Sequence, residues 1–475
     1  MNKLNKNLLL FSCLLLVSNL AFSAATFVIQ IADAPGEGFN DTTPVAPVGG
    51  NPGTTLGAQR LEIFQKAGEI WGQTINSVVP IVINAQFDPL TPCAPGGSVL
   101  GSAGALTIHS DFTNAPVANT WYGQALANSI VGTDQDAATA DINARFNSDI
   151  DNGCSGSVGW YYGFDGATPS DRIALLPVLL HELGHGLGFQ TFTSNQTGAF
   201  FNGRPDIWTN FLFDLDQNLS WRDLPSNAAR QASAINDPNL VWTGPNVTAE
   251  FPNVLDNPNQ LTVNTPASIA GNNPAQGAQY GPAVPNIGVT ANVVLVNDNT
   301  GTTTDGCEPI STNLVNSIAL IDRGTCNFTV KSINAQNAGA IGVLITNNVA
   351  TGLPPMGGTD PLVAVPSIGI SMALGDSIKT ELLSGNVNVT MNYDLTAFAG
   401  ANSGSVRLNA PDPVVPGSSV SHWTPDTSPN LLMEPAITAT IFDQVDLTRE
   451  LFIDIGWSVV PPVDLGIIFK DSFEN

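Results

Sequence analysis

Leu176 to Phe189 reads Leu-Pro-Val-Leu-Leu-His181-Glu182-Leu-Gly-His185-Gly-Leu-Gly188-Phe189 and contains the pattern H-E-x-x-H. The spacing constrains the chain strongly. On an α-helix, positions i and i+4 share one face, so both imidazoles can address a single ion. Glu182 can then reach a water beside that ion as general base. The apolar run from Ile173 to Leu180 suits a buried helix, and Gly186 and Gly188 let it end tightly. The chain holds four His and ten Glu, and shuffling it would give the pattern roughly once in a thousand trials. A zinc-binding helix over 172–189 is therefore the expectation, rather than a core helix with two satisfied histidines.

A catalytic zinc usually takes three protein ligands and a water. Gly188 extends the motif toward H-E-x-x-H-x-x-G-x-x-H, but position 191, where a third histidine would fall, is Thr. The other histidines are His109 and His422. His422 lies in Ser419-Val-Ser-His422-Trp423, followed by Pro429-Asn-Leu-Leu-Met433-Glu-Pro435. At these residues the chain resembles the leishmanolysin-like metzincins. In that family an insertion delays the third histidine, which sits in a Ser-His-Trp context ahead of a Leu-Met turn beneath the metal. The resemblance implies His181, His185 and His422 as ligands of one Zn2+, Glu182 as base and Met433 as the turn methionine. A carboxylate such as Asp206 or Glu434 is the alternative third ligand. His109, in Leu-Thr-Ile-His109-Ser, reads as structural.

Residues 1–23 read as an export signal, with Lys3 and Lys6 at the charged start and Leu8 to Leu16 as the apolar centre. A secreted protein, extracellular or periplasmic, is expected. No later segment reaches 18 uninterrupted apolar residues, so no membrane span is expected. Without the signal, 13 basic residues face 40 acidic ones, a net charge of −27. That charge argues against nucleic acid as partner. Four cysteines remain, in two local pairs, Cys93 with Cys154 and Cys307 with Cys326. An even count in an exported chain favours disulfides.

The remaining chain, about 450 residues, has room for two or three domains. Residues 26–33 predict a strand, 56–75 a helix, 78–87 a strand, and 105–109 and 140–146 two more. That order suits the first part of a zincin-like catalytic domain over 24–245, in which a peptide adds itself as a strand to a sheet edge. Asp214-x-Asp216-x-Asn218 is similar to the start of a calcium loop, although Leu219 and Pro225 depart from that pattern. Ca2+ there is a weaker expectation. Residues 246–400 read as an insertion. Within its core, about 288–395, Ile318-Ala-Leu-Ile-Asp322-Arg-Gly-Thr-Cys326-Asn-Phe328 and the later Asn-Ala-Gln-x-Ala-Gly-Ala resemble the protease-associated (PA) domain. That family implies a substrate-gating or interaction module without catalytic residues of its own. The second catalytic part is expected over 401–458, with a helix over 436–455, and a tail over 459–475.

The fold class expected is α+β: a metzincin-like catalytic domain, a mixed sheet plus the active-site helix, interrupted by an α/β protease-associated domain. The function expected is a secreted zinc metalloendopeptidase acting on protein or peptide substrates. The alternative is a secreted protein-binding module with an inactive zinc site. Substrate preference and oligomeric state are not legible in the residues.

Overall fold

The computed structural model describes residues 24–460 except Gly96 and Ala439. The expected signal segment and residues 461–475 of the expected tail lie outside the described residues. The described residues divide into two compact units, 24–189 with 455–460, and 190–454.

In the first unit, β1 (Phe27–Ile31), β2 (Ile81–Asp88), β3 (Gly101–Ala105) and β4 (Ile142–Asn147) form a sheet in the order β1-β2-β4-β3. β1, β2 and β4 run parallel, whereas β3 runs antiparallel to β4 and forms one edge. Ile81, Ile83, Ala85 and Phe87 of β2 alternate into the core, the period-2 signature of a strand. Helix α1 (Leu56–Thr74) starts where Thr55 Oγ1 accepts the Ala58 N–H at 3.2 Å, and it buries Ile63, Phe64, Ala67 and Trp71. Phe39, Phe64, Phe87 and Phe146 meet edge to face or tilted, with centroids 4.8–6.1 Å apart. Beside them, buried Arg60 donates to Gly38 O, Tyr162 Oη and Asp151 Oδ2.

Helix α2 (Leu175–Leu187) carries the zinc motif. Pro177 falls in its first turn, where a missing N–H costs no helical bond. Gly188 closes it at φ 127°. Residues 455–460 return here: Trp457 Nε1 donates to Leu187 O at 2.9 Å, and Val460 N–H to Thr74 O at 3.0 Å. The expected strand 105–109 is displaced. The sheet takes Gly101–Ala105, while Ile108–Ser110, with His109, pairs with Trp121–Gly123. Gly-Ser-Ala-Gly-Ala has no β-branched or aromatic residue to signal a strand. Its extended form follows from pairing with β4.

In the second unit, β5 (Leu212–Asp214), β6 (Leu219–Ser220) and β7 (Leu240–Trp242) share a sheet with β8 (Ser405–Arg407) and Ala401–Asn402. β7 pairs antiparallel with β8, so Val241 faces Arg407 in register. This pairing joins residues on both sides of the long insertion. It explains why 190–245 groups with 401–454 rather than with the residues before it, unlike the expected boundaries. A short helix, Asn227–Ser233, is capped by Ser226.

The strands of the insertion lie within 259–393 and form an eight-stranded sheet. At its centre Val289–Leu295, Ile318–Asp322, Gly342–Thr346 and Ser367–Ile370 run parallel in that order. Helices α3 (Phe328–Asn337) and α4 (Met372–Leu382) accompany them. Ile318 to Ile321 and Gly342 to Thr346 are all buried, as near-continuous apolar runs of a covered parallel sheet should be. Helix α5 spans only Thr448–Ile455, whereas the sequence predicts 436–455. Asp446, at φ 34°, breaks the earlier part, and its Oδ1 accepts from the N–H and hydroxyl of Thr448.

Candidate metal centre

His181 and His185 stand one turn apart on α2, their ring centroids 4.8 Å apart and their planes at 86°. The two Nε2 atoms approach to 3.2 Å. His185 Nδ1 lies 2.7 Å from Phe189 O. A carbonyl can only accept, so Nδ1 carries the hydrogen and Nε2 keeps its electron pair. Burial pushes the His185 pKa down to about 4, with the Phe189 carbonyl opposing, so the ring is neutral. Two nitrogens on a tetrahedral zinc, each at about 2.0–2.1 Å, stand roughly 3.3 Å apart. The observed separation and neutral imidazole chemistry fit zinc.

Glu182 follows His181 on the same helix. Its surroundings strip the carboxylate of water and push its pKa up to about 7, only partly offset by the Ala103 N–H. That N–H donates to Glu182 Oε2 at 3.0 Å from edge strand β3.

In the second unit, His422 is buried, with Nδ1 2.8 Å from Ser418 O, the same arrangement that leaves Nε2 as the electron-pair donor. The Asn409 N–H donates to His422 O, and the Trp423 N–H to Met433 O, both at 2.9 Å. Met433 is fully buried, and the neighbouring Leu432 N–H donates to the Asp446 carboxylate. Thr191, at the position where the compact motif would place histidine, donates its N–H to Ser421 Oγ at 3.3 Å.

Each of the three histidines thus offers an Nε2 from within its own unit. Among the described residues of the second unit, Asp298, Asp305 and Glu308 offer one ligand atom each, all within 4.8 Å of one another. The other sequence candidates make contacts of their own. His109 Nε2 stands 3.4 Å from Gln124 Oε1. Asp206 accepts from the Thr191 and Thr193 hydroxyls and from the N–H groups of Phe192, Thr193 and Thr209. Glu434 accepts from Thr427, Leu431 and Asn430. Both carboxylates serve their own loops.

The Asp214-x-Asp216-x-Asn218 calcium expectation meets a hairpin turn. Asn218 takes φ 53°, and Asn236 Nδ2 donates to both Asp214 Oδ2 and Asp216 Oδ2 at 3.1 Å. Those carboxylates already hold amide donors. The cysteines pair as Cys93–Cys154 and Cys307–Cys326. Two contributors escape sequence reasoning. Ala103 acts through its backbone alone, and Asp446 holds the turn before Met433 from 14 residues away.

Comparison with known proteins bears on the insertion. Residues 289–378 match the PA domain family. The chain therefore carries a PA domain. Leucine aminopeptidase 2 of Arthroderma otae is 40% identical over 105 residues, 22% of this chain and 20% of that protein. An aminopeptidase of Pseudomonas aeruginosa is 37% identical over 111 residues, 20% of this chain and 21% of that protein. Vacuolar-sorting receptor 1 of Pisum sativum is 29% identical over 153 residues, 29% of this chain and 23% of the receptor. The chain thus spans about a fifth of the length of these relatives. Among solved structures, an aminopeptidase from Aneurinibacillus sp. strain AM-1 covers 29% of this chain and 31% of its own at 27% identity, with a TM-score of 0.23. These matches do not support the metzincin resemblance, which rests on the residues around His181, His185 and His422. No helix among the described residues is long and apolar enough to cross a membrane.

Proposed function

We propose that the chain is a secreted zinc-dependent endopeptidase of the leishmanolysin-like metzincin type, acting on protein or peptide substrates. His181, His185 and His422 would hold one zinc. The observation that carries this reading is the pair of Nε2 atoms 3.2 Å apart on α2, beside the Glu182 carboxylate held by the Ala103 N–H. At that distance either an Nε2–H of His181 donates to His185 Nε2 or one cation takes both nitrogens, and the H-E-x-x-H spacing favours the cation.

Zinc bound there would polarise a peptide carbonyl and make a nearby water more acidic. Glu182 takes the proton of the attacking water and hands it to the leaving amine. Burial raises its pKa and a cation beside it would lower it again, opposing influences that suit a carboxylate which must both accept and return a proton. The Ala103 N–H orients the carboxylate from β3. Among the described residues that strand is paired with β4 on one side only, so an extended peptide can add along its other edge. Met433 fills the hydrophobic floor near His422 and has no part in the proton transfers.

Zinc content and casein cleavage of the wild type, Glu182→Ala and His422→Ala test the proposal. Glu182→Ala should keep one zinc per chain and lose cleavage, and His422→Ala should lose both. Zinc retained with full activity in His422→Ala would place the third ligand elsewhere. Release of single residues from aminoacyl anilides, with casein left intact, would replace endopeptidase by aminopeptidase.

A further inference from the structure

The second ligand group belongs to no part of the zinc reading. Asp298 and Asp305 are buried within the PA domain, 4% and 6% exposed. With Glu308 they bring carboxylate oxygens within 4.8 Å of one another. The first of these residues is incompletely satisfied. Asp298 Oδ1 accepts the Thr300 N–H at 3.2 Å, but Asp298 Oδ2, also buried, has no hydrogen-bond partner. A buried carboxylate oxygen without a donor is costly unless it is paired or coordinates a metal.

The local charge points the same way. Buried Lys331 on α3 reaches into this region, donating to the backbone oxygen of Asp305 and lying 3.4 Å from Cys307 Sγ. Asp322 is matched separately by Lys379 at 2.5 Å and by the Thr304 hydroxyl. One ammonium against Asp298, Asp305 and Glu308 leaves two negative charges over. The loop that presents them turns through Asn299 at φ 60°, Gly301 at φ 55° and Gly306 at φ 63°. It is tied down by Cys307–Cys326. At Gly324, an added Cβ would come within 2.9 Å of Asp305 Oδ2, so the close approach of that backbone requires glycine.

We propose that Asp298, Asp305 and Glu308 bind one calcium ion within the PA domain. The donors are all oxygen, which favours a hard cation over zinc, and Cys307 is committed to its disulfide. Three carboxylates supply part of calcium's six to eight oxygens, and water completes the shell. The ion neutralises the two surplus charges and gives Asp298 Oδ2 a partner. The site is independent of the zinc ligands.

Calcium titration calorimetry on the full chain, stripped over a chelating resin and reloaded with zinc, tests this. The wild type should bind one Ca2+ per chain, gain thermal stability in millimolar calcium and bind magnesium more weakly. Asp298→Asn and Glu308→Gln should each weaken calcium at least about ten-fold and leave casein cleavage and circular dichroism unchanged. Asp216→Asn should bind calcium as the wild type does. If Asp298→Asn fails to fold, Glu308→Gln decides. No binding at millimolar calcium, equal binding of magnesium, wild-type affinity in Glu308→Gln, or loss of binding in Asp216→Asn would each overturn the assignment.

Discussion

The Ala103 N–H donates to Glu182 Oε2 at 3.0 Å. This bond couples the edge of a sheet to the residue after the first histidine of the zinc motif. Ala103→Pro removes the donor at an edge position, where proline is tolerated. Zinc content should stay at the wild-type value, while casein cleavage falls by roughly ten- to a hundred-fold. Full activity in Ala103→Pro would show that the bond does not position the carboxylate.

Gly188 ends α2 at φ 127°, and a Cβ there would come within 2.7 Å of Ile455 Cδ1. Gly188→Ala should therefore lose about 1–3 kcal/mol, read as a lower urea midpoint. Trimming the neighbour in Gly188→Ala/Ile455→Val should recover only part of the loss, because the positive φ remains unfavourable for alanine.

Asp206 is a hub for donors from Thr191, Phe192, Thr193 and Thr209. Asp206→Ala should destabilise by roughly 2–4 kcal/mol through the donors it orphans. Zinc stoichiometry in the folded fraction should not change. Zinc loss from a protein with native circular dichroism would instead make Asp206 a ligand.

Burial pushes the Asp446 pKa up to about 6 from 3.8, against the donors of Leu432 and Thr448. Between these values the folded chain keeps a proton that the unfolded chain releases. Stability from this group is therefore greatest below about pH 4 and falls as pH rises to about 6, by roughly 2–3 kcal/mol in all. The stability difference between wild type and Asp446→Asn should shift in favour of the variant across that window. A difference that stays flat from pH 4 to 7 would remove Asp446 as the titrating group.

How legible the molecule is depends on what kind of signal each part carries. His181 and His185 announce a shared helical face by spacing alone, and that face forms. Ile318–Asp322 and Gly342–Thr346 of the insertion are largely apolar runs bounded by turns, and the strands stand where those runs stand. Gly101–Ala105 carries no such signal, because its side chains are small and its pairing is set by a strand some 40 residues later. The helix expected from 436 begins at Thr448, because no Gly or Pro after Pro435 marks the break, whereas Asp446 makes it through its backbone and carboxylate. The division after Phe189 depends on Val241 meeting Arg407, a partnership across more than 160 residues that local pattern does not reveal.

That partnership has an architectural consequence. Below Val241 and Arg407, the Ala399 N–H donates to Asp256 O and the Asp394 N–H to Pro258 O, each at 2.9 Å. The two connections to the eight-stranded sheet thus run side by side, at about the 5 Å spacing of neighbouring strands. The chain leaves for residues 259–393 and returns from them at this seam. A tight turn can close that seam, and so can any foreign fold whose ends lie equally close. The PA module is therefore a cartridge, open to excision or exchange by one short splice.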